Sequence, residues 1–117
     1  METKEAIAAF AALAQPTRLE TFRLLVKHEP DGVPAGELAR HLGVPQNTMS
    51  THLAALSRAG LIKSERRSRS IIYRAELDCF RELTLFMVQD CCGGNDELRA
   101  PLIADLLQCC PPFPERP

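Results

Sequence analysis

The sequence predicts a mainly α-helical domain carrying one small β-hairpin, and three observations predict it. Apolar residues recur at three- and four-residue spacing through most of the first 60 positions, the mark of amphipathic helices. Breakers at Pro30-Asp31-Gly32, Gly43-Val44-Pro45 and Gly60 cut that periodicity into short helices. Two β-prone runs, Leu61–Glu65 and Ser70–Ala75, then flank an Arg-rich link, Arg66–Arg69, that reads as a hairpin tip.

The elements follow in order. Residues 4–14 place Ile7, Phe10, Ala11 and Ala14 on one helical stripe. Pro16 suits the first turn of a second helix with Leu19, Phe22, Leu25 and Val26 as its apolar face. A third, short helix fits Ala35–Leu42, with Leu38, Ala39 and Leu42 inward and Gly43 ending it. Pro45 opens a fourth helix, Gln46–Ala59, whose face is Met49, Leu53 and Leu56, and Gly60 closes it. After the hairpin, residues 76–90 return to helix, with Leu77, Phe80, Thr84, Met87 and Cys91 on a heptad-like seam. Leu83, Leu85 and Phe86 lie off that seam, so the helix is apolar over much of its circumference, as a helix covered by a partner is. The expected architecture is therefore a dimer through the first and last long helices. Gly93-Gly94-Asn95-Asp96 breaks the chain, Pro101–Gln108 fits a short helix, and the proline-rich end from Pro111 cannot be helical. This divides the chain into a principal domain, 1–92, that holds the dimerisation helices, and a cysteine-bearing extension, 93–117.

Composition narrows the function. The 117 residues are 45% hydrophobic and 25% charged, an ordinary globular balance with room for one domain and none for a large multi-site enzyme. No apolar run approaches the roughly 20 residues of a membrane span, and the first residues lack the basic start and apolar stretch of a secretion signal. A cytoplasmic protein with no membrane contact is expected, in which five cysteines are read as thiolates rather than as disulfides. Net charge is −1, but its halves differ: residues 1–75 carry +4 and residues 76–117 carry −5. Between Arg58 and Arg74 six basic residues face the single acid Glu65. Such a run is either a solvated face or a phosphate-binding one.

The order of elements decides between these. Helix, tight turn, helix and a hairpin with a basic tip is the winged helix-turn-helix order. Gly43-Val44-Pro45 is too short for anything but a tight turn. The next helix opens with Gln46, Asn47, Thr48, Ser50 and Thr51, with His52 nearby. Gln and Asn can bond adenine edges bidentately, and Ser or Thr can reach bases or phosphates. Such residues are also common at any helix start; a basic hairpin one element downstream turns the balance toward double-stranded DNA. Arg67 and Arg69 are then expected to contact phosphates or the minor groove and to carry the salt-dependent affinity.

Three segments resemble the ArsR/SmtB family of metalloregulatory repressors: Leu13-Ala14-Gln15-Pro16-Thr17-Arg18-Leu19, Gly36-Glu37-Leu38-Ala39, and the run from Asn47 through Ser50-Thr51-His52-Leu53 to Arg58-Ala59-Gly60-Leu61-Ile62. The resemblance covers about residues 3–92. It implies a homodimeric winged-helix repressor that leaves its operator DNA when an inducer binds.

Within that family the inducer site varies. The family's arsenic site on the helix before the recognition helix uses Cys-x-Cys, whereas here Glu37–Leu42 has no cysteine. Its zinc site on the last helix uses Asp and His pairs, whereas Ala75–Asp90 has no histidine. What remains is Cys91-Cys92 and Cys109-Cys110. Adjacent cysteines make a strained disulfide, yet they can converge on one large, soft ion. Arsenite takes three thiolates in a pyramid, so Cys91 and Cys92 with Cys109 or Cys110 would complete a site; a methylated arsenical needs two, and antimonite is a further candidate. The chain also resembles arsenic-responsive members of the family with a Cys-Cys pair at the end of the last helix and a further cysteine downstream. Zinc competes through a four-thiolate site, though its usual Cys-x-x-Cys spacing is absent. Cys79 reads as a structural cysteine, and His28 and His41 as surface or helix-end residues.

Two other readings stand beside an arsenic-released repressor with no obligatory cofactor. One is a thiol redox sensor of the same fold, linking Cys91 or Cys92 to Cys109 or Cys110 on oxidation. The other is a small thiol enzyme; against it, the sequence has no Cys-x-x-Cys, phosphate loop or nucleotide fingerprint.

Overall fold

The computed structural model describes residues 1–90 and 96–109, with side chains for 1–88, 97 and 100–106. It divides into two compact units, Met1–Leu83 and the chain from Thr84 onward.

The first unit opens with two helices whose starts are capped by side chains. Helix α1 (Thr3–Leu13) begins where the Glu5 carboxylate accepts the Glu2 N–H at 2.8 Å. Helix α2 (Pro16–Lys27) begins where Gln15 Oε1 accepts the Arg18 N–H at 2.9 Å, with Pro16 at the position that needs no donor. A two-residue strand β1 (Val33–Pro34) leads into α3 (Ala35–Leu42), and α4 (Gln46–Arg58) follows after three residues. Both helices end alike. Gly43 and Gly60 adopt left-handed φ of 67° and 80°. The Val44 N–H then reaches the Ala39 carbonyl at 3.0 Å, and the Leu61 N–H reaches that of Leu56 at 3.1 Å, satisfying carbonyls that a helix end leaves open.

Strands β2 (Ile62–Arg67) and β3 (Ser70–Ala75) form the hairpin, and α5 (Leu77–Leu85) closes the unit. The antiparallel sheet runs β1-β3-β2, with Ile62 opposite Ala75 and Arg67 opposite Ser70. The expected tip at Arg66–Arg69 is therefore corrected to Ser68-Arg69, and the first strand runs from Ile62 to Arg67 rather than from Leu61 to Glu65. Charge made Arg66 and Arg67 look like loop, but the ladder continues through them: Arg66 lies opposite Ile71 and Arg67 opposite Ser70, and Glu65 meets the Arg67 guanidinium. Ser68 supplies the positive φ (57°) that so short a turn requires.

Strand β1 is not anticipated by the sequence. Val33 pairs with Tyr73 and Pro34 with Ile72. The pairing needs close approach: a Cβ on Gly32 would lie 2.5 Å from Ile72 Cγ2 and 2.7 Å from the Tyr73 carbonyl oxygen. The breaker at Pro30–Gly32 was legible as a turn, and its pairing partner was not.

The core gathers Leu25, Leu38, Met49, Leu53, Leu56 and Leu61, all fully buried. Thr21 is its buried hydroxyl; Oγ1 donates to the Thr17 carbonyl at 2.7 Å. The inward residues expected for α3 and α4 are inward, with Leu42 half-buried. Helix α1 reverses its expected face. Ala6, Ala9 and Ala12 are buried, while Ile7 (62% exposed) and Phe10 (41%) point outward. Small side chains let α1 lie close to the body, and the larger ones have nowhere inward to go. The heptad seam of the last long helix is likewise exposed at Leu77 and Phe80, and the off-seam Leu83 is the residue that is buried. Phe80 still touches the core, its ring centroid 5.6 Å from that of Phe22.

The continuous helix expected over 76–90 instead ends as α-helix at Leu85, and Phe86–Asp90 forms a π-helical turn. Helix α6 (Asp96–Cys109) starts five residues before the expected Pro101, which lies inside it. A proline removes one backbone donor, and the helix continues past it. No helix among the described residues is long and apolar enough to cross a membrane.

Candidate nucleic-acid interface

Helix α4 buries Met49, Leu53 and Leu56 and thereby turns Gln46, Asn47, Thr48, Ser50 and Thr51 to solvent. Their ties are local. Asn47 Oδ1 accepts the Thr48 N–H at 2.9 Å, and Thr51 Oγ1 donates to the Asn47 carbonyl at 3.2 Å. These side chains give up little when they turn to another partner. His52 differs from them. It is half-buried, and Arg18 Nε on α2 donates to its Nδ1 at 3.2 Å. That bond ties the ring to α2. The sequence placed His52 near this face; it gave no sign that Arg18 would orient it.

The sheet has two unlike faces. Ile62, Ala75 and Val33 lie on one and are buried, so this face is turned to the core. Towards the tip it carries Ser64, Tyr73, Arg66 and Ile71, the last two directly opposite each other and exposed. The other face carries Lys63, Glu65, Arg67 and Arg74, and the loop between α2 and β1 folds over it.

That outer face is an ion-pair lattice. Arg74 clamps Glu29 with two bonds, Nε–Oε1 at 3.1 Å and Nη2–Oε2 at 2.8 Å, and reaches Glu65 at 3.3 Å. Arg67 Nη2 donates to the same Glu65 oxygen at 2.9 Å, and its Nη1 donates to the Asp31 carbonyl at 2.8 Å. Lys63 pairs with Glu76 at 3.7 Å. The Arg74 hydrogen bonds hold the Glu29 carboxyl below the usual carboxylate range against a smaller desolvation. Arg67 foremost, then Arg74, does the same to Glu65. The two carboxylates in turn hold the Arg74 guanidinium still more firmly protonated. Glu65 was visible in sequence as the single acid of a basic run, but not its role as the bridge between two arginines. The side chains of Arg66 and Arg69 are exposed and make no hydrogen bond or ion pair among the described residues.

Of the cysteines, Cys91, Cys92 and Cys110 lie outside the described residues, and Cys109 is placed only as the last residue of α6. Cys79 is half-buried on α5. Burial, then the carboxylates of Glu82, Glu76 and Glu5, push its thiol up. Such a thiol is a poor nucleophile, in keeping with a structural role. Among the described residues no three His, Cys, Asp or Glu side chains gather to hold a metal. His28 and His41 are exposed at the ends of α2 and α3.

The helix-turn-helix domain model matches residues 13–65, from the end of α1 into β2. The chain is 33% identical over 79 residues to the HTH-type transcriptional regulator KmtR of Mycobacterium tuberculosis, covering 68% of this chain and 58% of KmtR. It is thus matched over less than two thirds of that relative. With the Escherichia coli HTH-type transcriptional regulator YgaV it is 36% identical over 60% of this chain and 69% of YgaV. With the probable mercury resistance operon repressor of Streptomyces lividans it is 28% identical, covering 90% and 74%. Among solved structures, an ArsR-like transcriptional regulator from Rhodococcus sp. RHA1 superposes with a TM-score of 0.65 at 26% identity, covering 94% of this chain and 96% of that one. The chain belongs to the ArsR/SmtB family of winged helix-turn-helix transcriptional regulators.

Two further solved structures share this fold. The homodimeric winged helix-turn-helix DNA-binding domain of Mb0332 from Mycobacterium bovis has a TM-score of 0.62 at 27% identity, covering 73% and 77%. A possible transcriptional regulator for arsenical resistance has a TM-score of 0.58 at 28% identity, covering 81% and 92%. In the terms of this family, α3 and α4 are the helix-turn-helix and the β2–β3 hairpin is the wing.

Proposed function

We propose that this chain is a cytoplasmic, homodimeric transcriptional repressor that holds operator DNA and releases it on capturing trivalent arsenic. The observation that carries the DNA reading is the exposed polar start of α4, Gln46 to Thr51, beside a wing with unpaired arginines. Helix α4 enters the major groove by that end, where its N-terminal dipole also favours phosphate. His52 lies beside the same surface, and the basic wing follows the backbone into the minor groove. Two copies place two reading heads on half-sites about one helical turn apart.

The arsenic reading is supported by two adjacent cysteine pairs in a 117-residue chain. Soft thiolates select soft metals and metalloids. The likeness to proteins named for mercury and arsenical resistance points the same way. Arsenous acid condenses with the thiols of Cys91, Cys92 and either Cys109 or Cys110, forming three As–S bonds and releasing three waters. These bonds tie the residues after α5 to the end of α6, and the strain passes to the dimer and its half-site spacing.

The test is an arsenite titration of the reduced protein on a duplex it has selected from random DNA. Thiolate-to-arsenic absorbance and DNA release are followed together. One arsenic per chain, release in step with absorbance, and loss of both in Cys91→Ser are expected. DNA binding without an arsenic response would overturn the arsenic reading; release by diamide alone would put a redox switch in its place, and release by zinc a zinc site.

A further inference from the structure

The two neighbouring arginines at the end of β2 point to opposite faces of the wing and meet different surroundings. Arg67 lies on the outer face, with both ends of its guanidinium engaged: one by the Asp31 carbonyl at 2.8 Å, the other by Glu65 at 2.9 Å. Glu65 also receives Arg74, and Arg74 clamps Glu29. Four side chains and one carbonyl thus lock the outer face of the wing to the loop after α2. Arg66 lies on the opposite face, in line with Ile62 and across from Ile71, and is exposed. Arg69 occupies the turn and is also exposed.

We infer that Arg67 is a positioning residue that fixes the wing on the α2–β1 loop, and that the wing's phosphate contacts fall to Arg66 and Arg69. This rests on the DNA-binding reading and divides the labour within it. A cation that already spends both ends of its fork on protein acceptors gains little by moving to a phosphate, and the wing would lose its anchor if it did. An unpaired arginine has no such bond to break. Fixing the wing matters because a preorganised element gives up less freedom when it binds. A planar fork suits Arg67 to this, since an ammonium cannot meet a carbonyl and a carboxylate on two sides in one plane.

The two roles separate in the salt dependence of binding. Each phosphate contact contributes about 0.9 to the slope of log K against log salt, or about 1.8 for a dimer with two equivalent wings. The probe is the duplex selected from random DNA by the wild-type chain. R66Q and R69Q are each expected to flatten the slope by about that amount. R67Q is expected to weaken binding several-fold at every salt concentration with the slope unchanged. R67K keeps the charge and is expected to weaken binding as R67Q does; it also serves if R67Q fails to fold. A slope that flattens in R67Q, wild-type affinity in R67K, or an unchanged slope in R66Q would each overturn the inference. Failure of the wild-type chain to bind any duplex would instead overturn the DNA-binding reading, and this division of roles with it.

Discussion

At position 32 the chain turns with φ of 78° while passing against β3. Only glycine meets both conditions. A methyl group there would sit 2.5 Å from the Ile72 side chain and 2.7 Å from the Tyr73 carbonyl, and the carbonyl cannot rotate away from its ladder. Gly32→Ala is expected to cost at least about 2 kcal/mol, combining a disfavoured φ with overpacking. Urea denaturation measures it, and a loss below half that value would mean that β1 slides off at little cost. Gly43 is a useful contrast, with the same sign of φ but no atom within 4 Å of an added Cβ. The sequence told the two apart poorly. A glycine after Pro-Asp and a glycine after a helix both read as breakers, and only the fold reveals which is crowded. Residue types on α4 were far more legible, because a buried stripe at Met49, Leu53 and Leu56 dictates which polar residues must face out.

Among the elements, helices α3 and α4 were readable with their inward faces because each has one apolar stripe bounded by Pro or Gly, whereas α2 buries Phe22 and Leu25 of its expected face and leaves Leu19 41% exposed. Helix α1 was readable as a helix and not in its orientation. Its alanines are good helix formers on any face, so periodicity followed the large residues, and those are the exposed ones. The wing was readable as a hairpin, whereas its lattice joins Glu29 to Arg74, 45 positions away, a separation no local pattern carries. That lattice sets a pH dependence. Glu29 and Glu65 have folded-state values below their ordinary ones, so the unfolded chain binds their protons first as pH falls. Their contribution is complete above the ordinary glutamate value and is lost as pH drops through the lowered ones. The melting temperature is expected to fall on acidification below about pH 5, and the E29Q variant to show a lower but flatter profile. An equally steep acid limb in E29Q would place the sensitive carboxylates elsewhere.

For the whole molecule, the large apolar side chains left outside are the informative ones. Ile7 and Phe10 on α1 and Leu77 and Phe80 on α5 are exposed in the single chain, and the two helices are neighbours that share a shallow cleft lined by Glu5, Ala8, Cys79 and Glu82. These are the helices through which the proposed dimer forms. Phe10→Glu is therefore expected to yield a folded monomer by sedimentation, with far-UV circular dichroism retained and duplex affinity sharply reduced. Retention of the dimer would move the interface off α1. Among the described residues the α-helices were legible in the sequence at this scale, because they follow from short-range pattern, and the π-helical turn after Leu85 was not. The exposure of those faces was not, since a core stripe and an interface stripe have the same spacing.

The alanine face of α1 has a consequence beyond packing. Three methyl groups hold eleven residues to the body, which is a light grip beside that of leucines and phenylalanine on the other helices. In a chain without a partner, α1 is therefore expected to open ahead of the rest of the domain, and amide hydrogen exchange faster over residues 3–13 than over α2 and α4 would show it.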